Sequence, residues 1–192
     1  MYGRCDPAAR MALVELLLAA VPEAATRADK EGWLPIHTAA RHSDAAVARR
    51  LLAAAPATAA AVTGEGMTPL HVAAQYCADP AMVRAVMEAA PASAAAAAVG
   101  GSLPIHFAAC NGSTPAVRML LAAAPQTAAA VDAAGSTPLH DAARQDHVAI
   151  VRLLLKAAPA AAGMLSADGD LPLHEAADAE AAATATAGGH SA

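Results

Sequence analysis

The chain repeats itself, and this limits its fold more than any other feature. Five segments match: Gly-Trp-Leu-Pro-Ile-His at 32–37, Gly-Met-Thr-Pro-Leu-His at 66–71, Gly-Ser-Leu-Pro-Ile-His at 101–106, Gly-Ser-Thr-Pro-Leu-His at 135–140 and Gly-Asp-Leu-Pro-Leu-His at 169–174. Each continues as x-Ala-Ala, and the histidines are 34, 35, 34 and 34 residues apart. Pro22, Pro56, Pro91, Pro125 and Pro159 each close a run of apolar residues and keep the same spacing. The single extra residue falls between His71 and Pro91, where Cys77 to Pro80 reads as a turn. Two markers in phase over five copies identify a repeat architecture. In such a chain one unit cannot bury its apolar face alone, and stacked neighbours can.

Each unit reads as two helices and a loop. In the fourth, Thr137 stands at an N-cap position, where its hydroxyl can accept a bond from a free N–H of the first turn. Pro138 follows at the first helical position, where its missing N–H costs nothing. Leu139, Ala142 and Ala143 give this short helix a small apolar face, and 144–147 is a polar turn. Val148 to Leu155 then carries apolar residues at helical spacing. Pro159 ends that helix, because proline disfavours helical geometry in the residue before it. The stretch to Gly169 is expected to return as an extended loop or hairpin.

Composition fits this reading. The chain is 57% hydrophobic but only 2% aromatic, because alanine makes up about a third of its 192 residues. Alanine favours helices, and its small side chain lets them approach closely. A β-sandwich or barrel, which needs β-branched and aromatic residues, is disfavoured. The pairs Ala39/Ala40, Ala73/Ala74, Ala108/Ala109, Ala142/Ala143 and Ala176/Ala177 mark the close contacts of the stack. Leu17/Leu18, Leu51/Leu52, Val86/Met87, Leu120/Leu121 and Leu154/Leu155 mark the larger core positions.

The net charge is −5 and there is no run of basic residues. Nucleic acid is therefore not an expected partner, since phosphate contacts dominate such affinity. Three scattered cysteines, Cys5, Cys77 and Cys110, suit reduced thiols in an intracellular, cytoplasmic setting better than a disulfide framework. No apolar run is long enough to span a membrane. The segment after Arg10 resembles a signal-peptide core, but Glu15 interrupts it and it fits the repeat as a second helix from Arg10 to Val21.

The segment Gly-x-Thr-Pro-Leu-His-x-Ala-Ala, followed by Val-x-x-Leu-Leu, resembles the ankyrin repeat from about Met11 to Ala179. The resemblance implies an all-α, ankyrin-like solenoid of stacked helix-turn-helix units with hairpin loops and a concave protein-binding surface. It implies no catalytic residues. The expected organisation is a partial repeat at 1–31 with a second helix only, repeats at 32–65, 66–100, 101–134 and 135–168, a half repeat at 169–180 and a low-complexity tail at 181–192. Neither end has the polar face of a capping unit, so a piece of a longer array is expected.

Several positions depart from the family pattern. Leu34, Leu103 and Leu171 replace the capping threonine kept at Thr68 and Thr137, and a lost cap costs about 0.5–2 kcal/mol. The glycine of the inter-helix turn survives only as Gly112. Ser43, Cys77 and Asp146 take its place and are strained wherever that backbone is left-handed.

No catalytic signature emerges. The motif histidines, one per repeat, lie too far apart in a stack to share a zinc ion and read as structural hydrogen-bonding groups. Neither metal nor cofactor is expected. Cys77 and Cys110 stand at neighbouring places in adjacent units and read as ordinary thiols. Arg49, Arg84, Arg118 and Arg152 read as a solvated outer face. Asp141 and Glu175 have no evident pair in sequence.

The resemblance places partner contacts at the hairpin tips and on the exposed side of the first helices. Carried over, these are Lys30, Glu31, Trp33, Glu65 and Met67, with Ser102, Ser136, Asp168 and Asp170, at the tips. The helix positions are Arg41, His42, Gln75, Tyr76, Cys110, Asn111, Arg144 and Gln145. Trp33, Arg41, Met67 and Tyr76 form the expected centre, with Phe107 close by, because binding hot spots favour Trp, Tyr and Arg. The competing reading is that Trp33 and Phe107 pack between units. The expected function is a monomeric, non-enzymatic module that binds another protein. The alternative is a targeting or regulatory segment of a larger multidomain enzyme or channel.

Overall fold

The structure, a computed structural model, describes residues 6–76 and 79–178. They divide into two compact units, one within Met1–Ser93 and one within Ala94–Ala192. The described residues contain helices and turns and no strand. The architecture is that of stacked helix-turn-helix units with hairpin loops.

The first unit holds α1 (Pro7–Ala20), α2 (Pro35–Arg41), α3 (Ala45–Ala54), α4 (Pro69–Tyr76) and α5 (Pro80–Ala89). Short first helices pack together, α2 on α4, and longer second helices pack as α1 on α3 and α3 on α5. The second unit repeats this with α6 (Pro104–Cys110) on α8 (Pro138–Arg144) and α7 (Thr114–Ala123) on α9 (Val148–Ala157). Residues 172–178 are helical as well. Ala40, Ala73, Ala74, Ala108, Ala109 and Ala142 are fully buried on the first helices. A larger side chain there would hold neighbouring helices apart. On the second helices Leu18, Leu51, Leu52, Val86, Leu120 and Leu154 are buried, while Leu17 is exposed and Met87, Leu121 and Leu155 are half-buried. Four of the five expected pairs thus resolve into one core residue and one less buried neighbour, while Leu51 and Leu52 are both core.

Helix α1 begins at Pro7, three residues before the expected start, because the Asp6 carboxylate accepts the Ala8 N–H at 3.1 Å. The sequence also missed an element. Each proline after a second helix opens a short 3-10 helix: Pro22–Thr26, Pro56–Ala60, Pro91–Ala95, Pro125–Ala129 and Pro159–Gly163. The hydroxyls of Thr58, Ser93 and Thr127 donate to the carbonyls of Ala55, Ala90 and Ala124 at 2.6–2.7 Å. A hydroxyl two residues after proline was the available signal. The chain then runs into a hairpin, as expected. Asp29 Oδ1 accepts the N–H groups of Glu31 and Trp33, and Asp132 Oδ1 accepts those of Ala134 and Ser136, all at 2.9 Å. Within each unit successive tips are joined, Gly64 N–H to Glu31 carbonyl at 3.1 Å and Ala167 N–H to Ala134 carbonyl at 2.8 Å.

The first helices are capped by histidine rather than by threonine. His37, His71, His106, His140 and His174 turn Nδ1 back to accept the N–H three residues earlier, at 3.0–3.1 Å. Leu34 and Leu103 make no side-chain cap, as expected, but their own N–H groups, like that of Leu171, are each taken up by the histidine. At Thr68 and Thr137 the hydroxyl lies 2.8 Å from the histidine Nδ1 instead of accepting from the first turn. An amide N–H can only donate, so Nδ1 carries the lone pair and the proton sits on Nε2. At two of them that proton reaches the loop that follows: His37 Nε2 donates to the Ala61 carbonyl at 3.2 Å, and His140 Nε2 to the Asp170 carbonyl at 3.1 Å. Burial lowers the pKa of His37 and His106, which keeps them neutral.

Candidate functional site

In the first unit the hairpin at 29–33 delivers Trp33 beside α2, while Arg41 occupies the last turn of α2 and Tyr76 that of α4. Arg41 lies one turn beyond the buried His37, whose ring Trp33 meets edge-on at 5.9 Å between centroids. The Arg41 guanidinium carbon sits 5.8 Å from the Trp33 ring centroid and 5.4 Å from that of Tyr76. Both distances fall within cation–π reach. Arg41 is exposed, Tyr76 is 48% exposed and Trp33 is half-buried. Two rings and a cation from three separate segments therefore form one accessible patch. Trp33 lies half-buried between His37 of its own repeat and the Arg41 guanidinium.

The other expected contact residues divide by position. Lys30, Glu31 and Glu65 are exposed at hairpin tips, and His42 is exposed at the end of α2. Gln75 is half-buried, and its Oε1 is buried without a hydrogen-bond partner. Met67 is a correction: it is only 6% exposed. It closes its hairpin, its carbonyl accepting the Thr63 N–H at 3.0 Å and its own N–H reaching Thr63 Oγ1 at 3.3 Å, and its side chain turns into the unit. Ser136, at the same place two repeats later, is buried for the same reason.

In the second unit Asn111, Arg144 and Gln145 are exposed. Arg144 is engaged within the chain. Its Nε donates to Glu175 Oε2 at 2.8 Å and its Nη2 to Glu175 Oε1 at 2.7 Å, while Asp141 Oδ1 lies 3.6 Å from Nη1. This corrects the reading of Asp141 and Glu175 as unpaired. They are 34 residues apart, one repeat, and a period-aware pairing of charges would have found them. The hydrogen bonds from Arg144 lower the Glu175 pKa. Burial pushes Asp141 up to about 7 despite Arg144, whose best donors are committed to Glu175. Partial burial also raises the pKa of the Cys110 thiol, so little of it is the nucleophilic thiolate. Cys77 and the proposed tail at 181–192 lie outside the described residues. Phe107 is half-buried, and Arg49, Arg84, Arg118 and Arg152 are exposed on the second helices.

An apolar cavity of about 440 Å³ opens in the second unit, lined by Leu139, Val148, Val151, Leu155, Pro172 and Leu173. It carries no convergent polar groups of the kind that orient a small ligand. At His37 and His140 both ring nitrogens are engaged by the backbone, which leaves no lone pair for a metal. No helix among the described residues is long and apolar enough to cross a membrane.

Stacked helix pairs with tip hairpins and a motif histidine in each repeat define a helical repeat protein. The family model described as ankyrin repeats (3 copies) matches residues 8–95, 79–162 and 105–186. The chain belongs to the ankyrin repeat family, whose members are generally protein–protein interaction modules and typically not enzymes. No curated protein matches the chain.

Proposed function

We propose that this chain docks another protein on the face formed by its hairpin tips and first helices, the concave side of an ankyrin stack, with Trp33, Arg41 and Tyr76 at the centre. The observation that carries this is the convergence of two aromatic rings on one exposed cation. Such residues dominate binding energy where they can be desolvated by a partner. Lys30, Glu31, Glu65, His42 and Gln75 border the patch in sequence, and Asn111, Arg144 and Gln145 extend the same repeat positions into the second unit. Met67 supports the hairpin from within. The mechanism is rigid presentation of side chains by a monomer, without cofactor, metal or catalysis, in an intracellular setting that suits its few, widely spaced cysteines.

The test is to capture partners with the purified chain and then compare two double variants. Trp33→Ala with Tyr76→Ala should weaken the complex at least tenfold, in line with hot-spot losses of about 1.4 kcal/mol or more. Arg118→Ala with Arg152→Ala, on the exposed second helices, should leave it unchanged. Loss of binding in the second pair alone would move the site to the second helices.

A further inference from the structure

We infer that Arg41 is a receptor for a carboxylate, and that the protein docked on this face is an acidic segment presenting an Asp or Glu side chain to it. The inference rests on the docking face proposed above and names the chemistry at its centre.

The chain contains its own template for this contact. Arg41 and Arg144 occupy the same repeat position, each four residues after its motif histidine. In the second unit the residue after the next motif histidine is Glu175, and it fills the Arg144 fork with two charge-assisted bonds at 2.7 and 2.8 Å. In the first unit the corresponding residue after His71 is Val72, which is fully buried and has no acceptor to offer. Among the described residues no carboxylate pairs with Arg41. The same fork that is closed internally in one repeat is thus left open in another.

Aromatic contact prepares the open fork rather than filling it. Attraction to a ring face uses the positive charge of the guanidinium and consumes none of its five N–H donors. The rings restrict the long side chain, so less rotamer freedom is lost when a carboxylate binds. A planar carboxylate takes two parallel N–H bonds from such a fork. Tyr76, 48% exposed, and the exposed part of Trp33 offer apolar surface for the methylene stem of an Asp or Glu. The chain as a whole carries a net charge of −5, so it does not attract acids in general. Recognition of an acidic segment has to arise from local geometry at Arg41.

Trp33 is the only tryptophan in the chain, so its fluorescence reports this patch directly. The full chain is titrated at low salt with three blocked peptides: hexaglutamate, hexaglutamine and a phosphoserine peptide of equal length. Hexaglutamate should change Trp33 emission saturably, and hexaglutamine should not. Arg41→Gln should weaken hexaglutamate about tenfold, and Arg41→Lys, a point charge without the fork, should recover only part of that loss. Arg152→Gln removes the same charge from exposed α9 and should leave the curve in place, and circular dichroism melts check that each variant remains folded. The inference is overturned by an unsaturable response, by equal losses in Arg41→Gln and Arg152→Gln, or by much tighter binding of the phosphoserine peptide. If Trp33→Ala with Tyr76→Ala releases a captured partner that hexaglutamate cannot displace, the docking face stands and the carboxylate contact falls. If hexaglutamate binds through Arg41 while that aromatic pair leaves the partner bound, the carboxylate site stands and the docking face falls.

Discussion

Arg144 and Glu175 meet through a two-pronged ion pair that joins consecutive repeats, with donor–acceptor distances of 2.8 and 2.7 Å. The pair leaves Asp141, on the same turn as Arg144, with only a 3.6 Å contact to the guanidinium. Burial therefore dominates at Asp141, and its pKa rises to about 7.

Breaking the pair should reset that balance. In Glu175→Gln the nearby negative charge disappears and Arg144 is released toward Asp141, two changes that both favour the Asp141 carboxylate. The Asp141 pKa should fall below 7, by carboxyl-carbon NMR titration, while burial continues to hold it above the ordinary carboxylate range. The stability change should be small, about 0–1 kcal/mol, since the Arg144 side chain is about half exposed. An Asp141 pKa that stays in place would show that Glu175 does not govern it.

The histidine caps give a second prediction. His140 is fully buried and joins the Thr137 N–H to the Asp170 carbonyl. His140→Ala leaves the Thr137 N–H without its partner, while the Asp170 carbonyl keeps only the Ser166 N–H at 2.9 Å, and should cost about 1–3 kcal/mol in urea unfolding. His174 makes the matching Nδ1 bond at an exposed site, where water can replace it. His174→Ala should cost less than about 1 kcal/mol. Equal costs would mean that the caps act through something other than buried hydrogen bonds.

The histidine cap also marks how far the sequence could be read. The period, the proline-led first helices and the alanine contacts are legible because they depend on local propensity and on spacing that recurs. The direction of each hydrogen bond is not local. His140 and Thr137 sit three residues apart and invite a hydroxyl cap, yet the imidazole takes the amide because its far nitrogen must also reach Asp170 in the next repeat. At the site, Trp33, Arg41 and Tyr76 were legible as neighbours once the repeat register was fixed. Met67 was misplaced because alternation along a hairpin arm, rather than residue type, decides which side chain turns inward. Glu175 was missed because its partner Arg144 lies in the preceding repeat, 31 residues away.

Acid should act on the two kinds of group in opposite directions. His37 and His106 have folded pKa values below the ordinary 6.5 because burial penalises the charged ring. Their contribution is fully present above about pH 6.5 and is lost as pH falls through the lowered folded value. Asp141, raised from 3.8 to about 7, does the reverse: its contribution is present below the unfolded value and is lost as pH rises through 7. Asp141→Asn should therefore stabilise the chain at pH 8 by about 1–3 kcal/mol and do little at pH 4, with a steeper acid loss left to the histidines. Urea midpoints of both proteins across this range check it. A uniform shift at every pH would rule out an ionisation effect.

Backbone strain in the inter-helix turns yields the last prediction. Ser43 and Asp146 have φ of 59° and 55°, at the place where Gly112 has 74°. A residue with a Cβ loses about 1–2 kcal/mol in this region, though Asp is better tolerated there because its short polar side chain bonds locally. Glycine removes the clash at some cost in unfolded-state entropy. Ser43→Gly should thus raise stability by about 0.5–1 kcal/mol, and Asp146→Gly by less. The reciprocal change, Gly112→Ala, places a Cβ 2.7 Å from the His147 ring, which is itself held by the Cys110 carbonyl at 3.1 Å. It should destabilise by about 1–3 kcal/mol, because it combines the left-handed penalty with displacement of that ring. Thermal melts of the three variants decide the matter: a stabilised Gly112→Ala, or a clearly weakened Ser43→Gly, would show that these turns relax without cost.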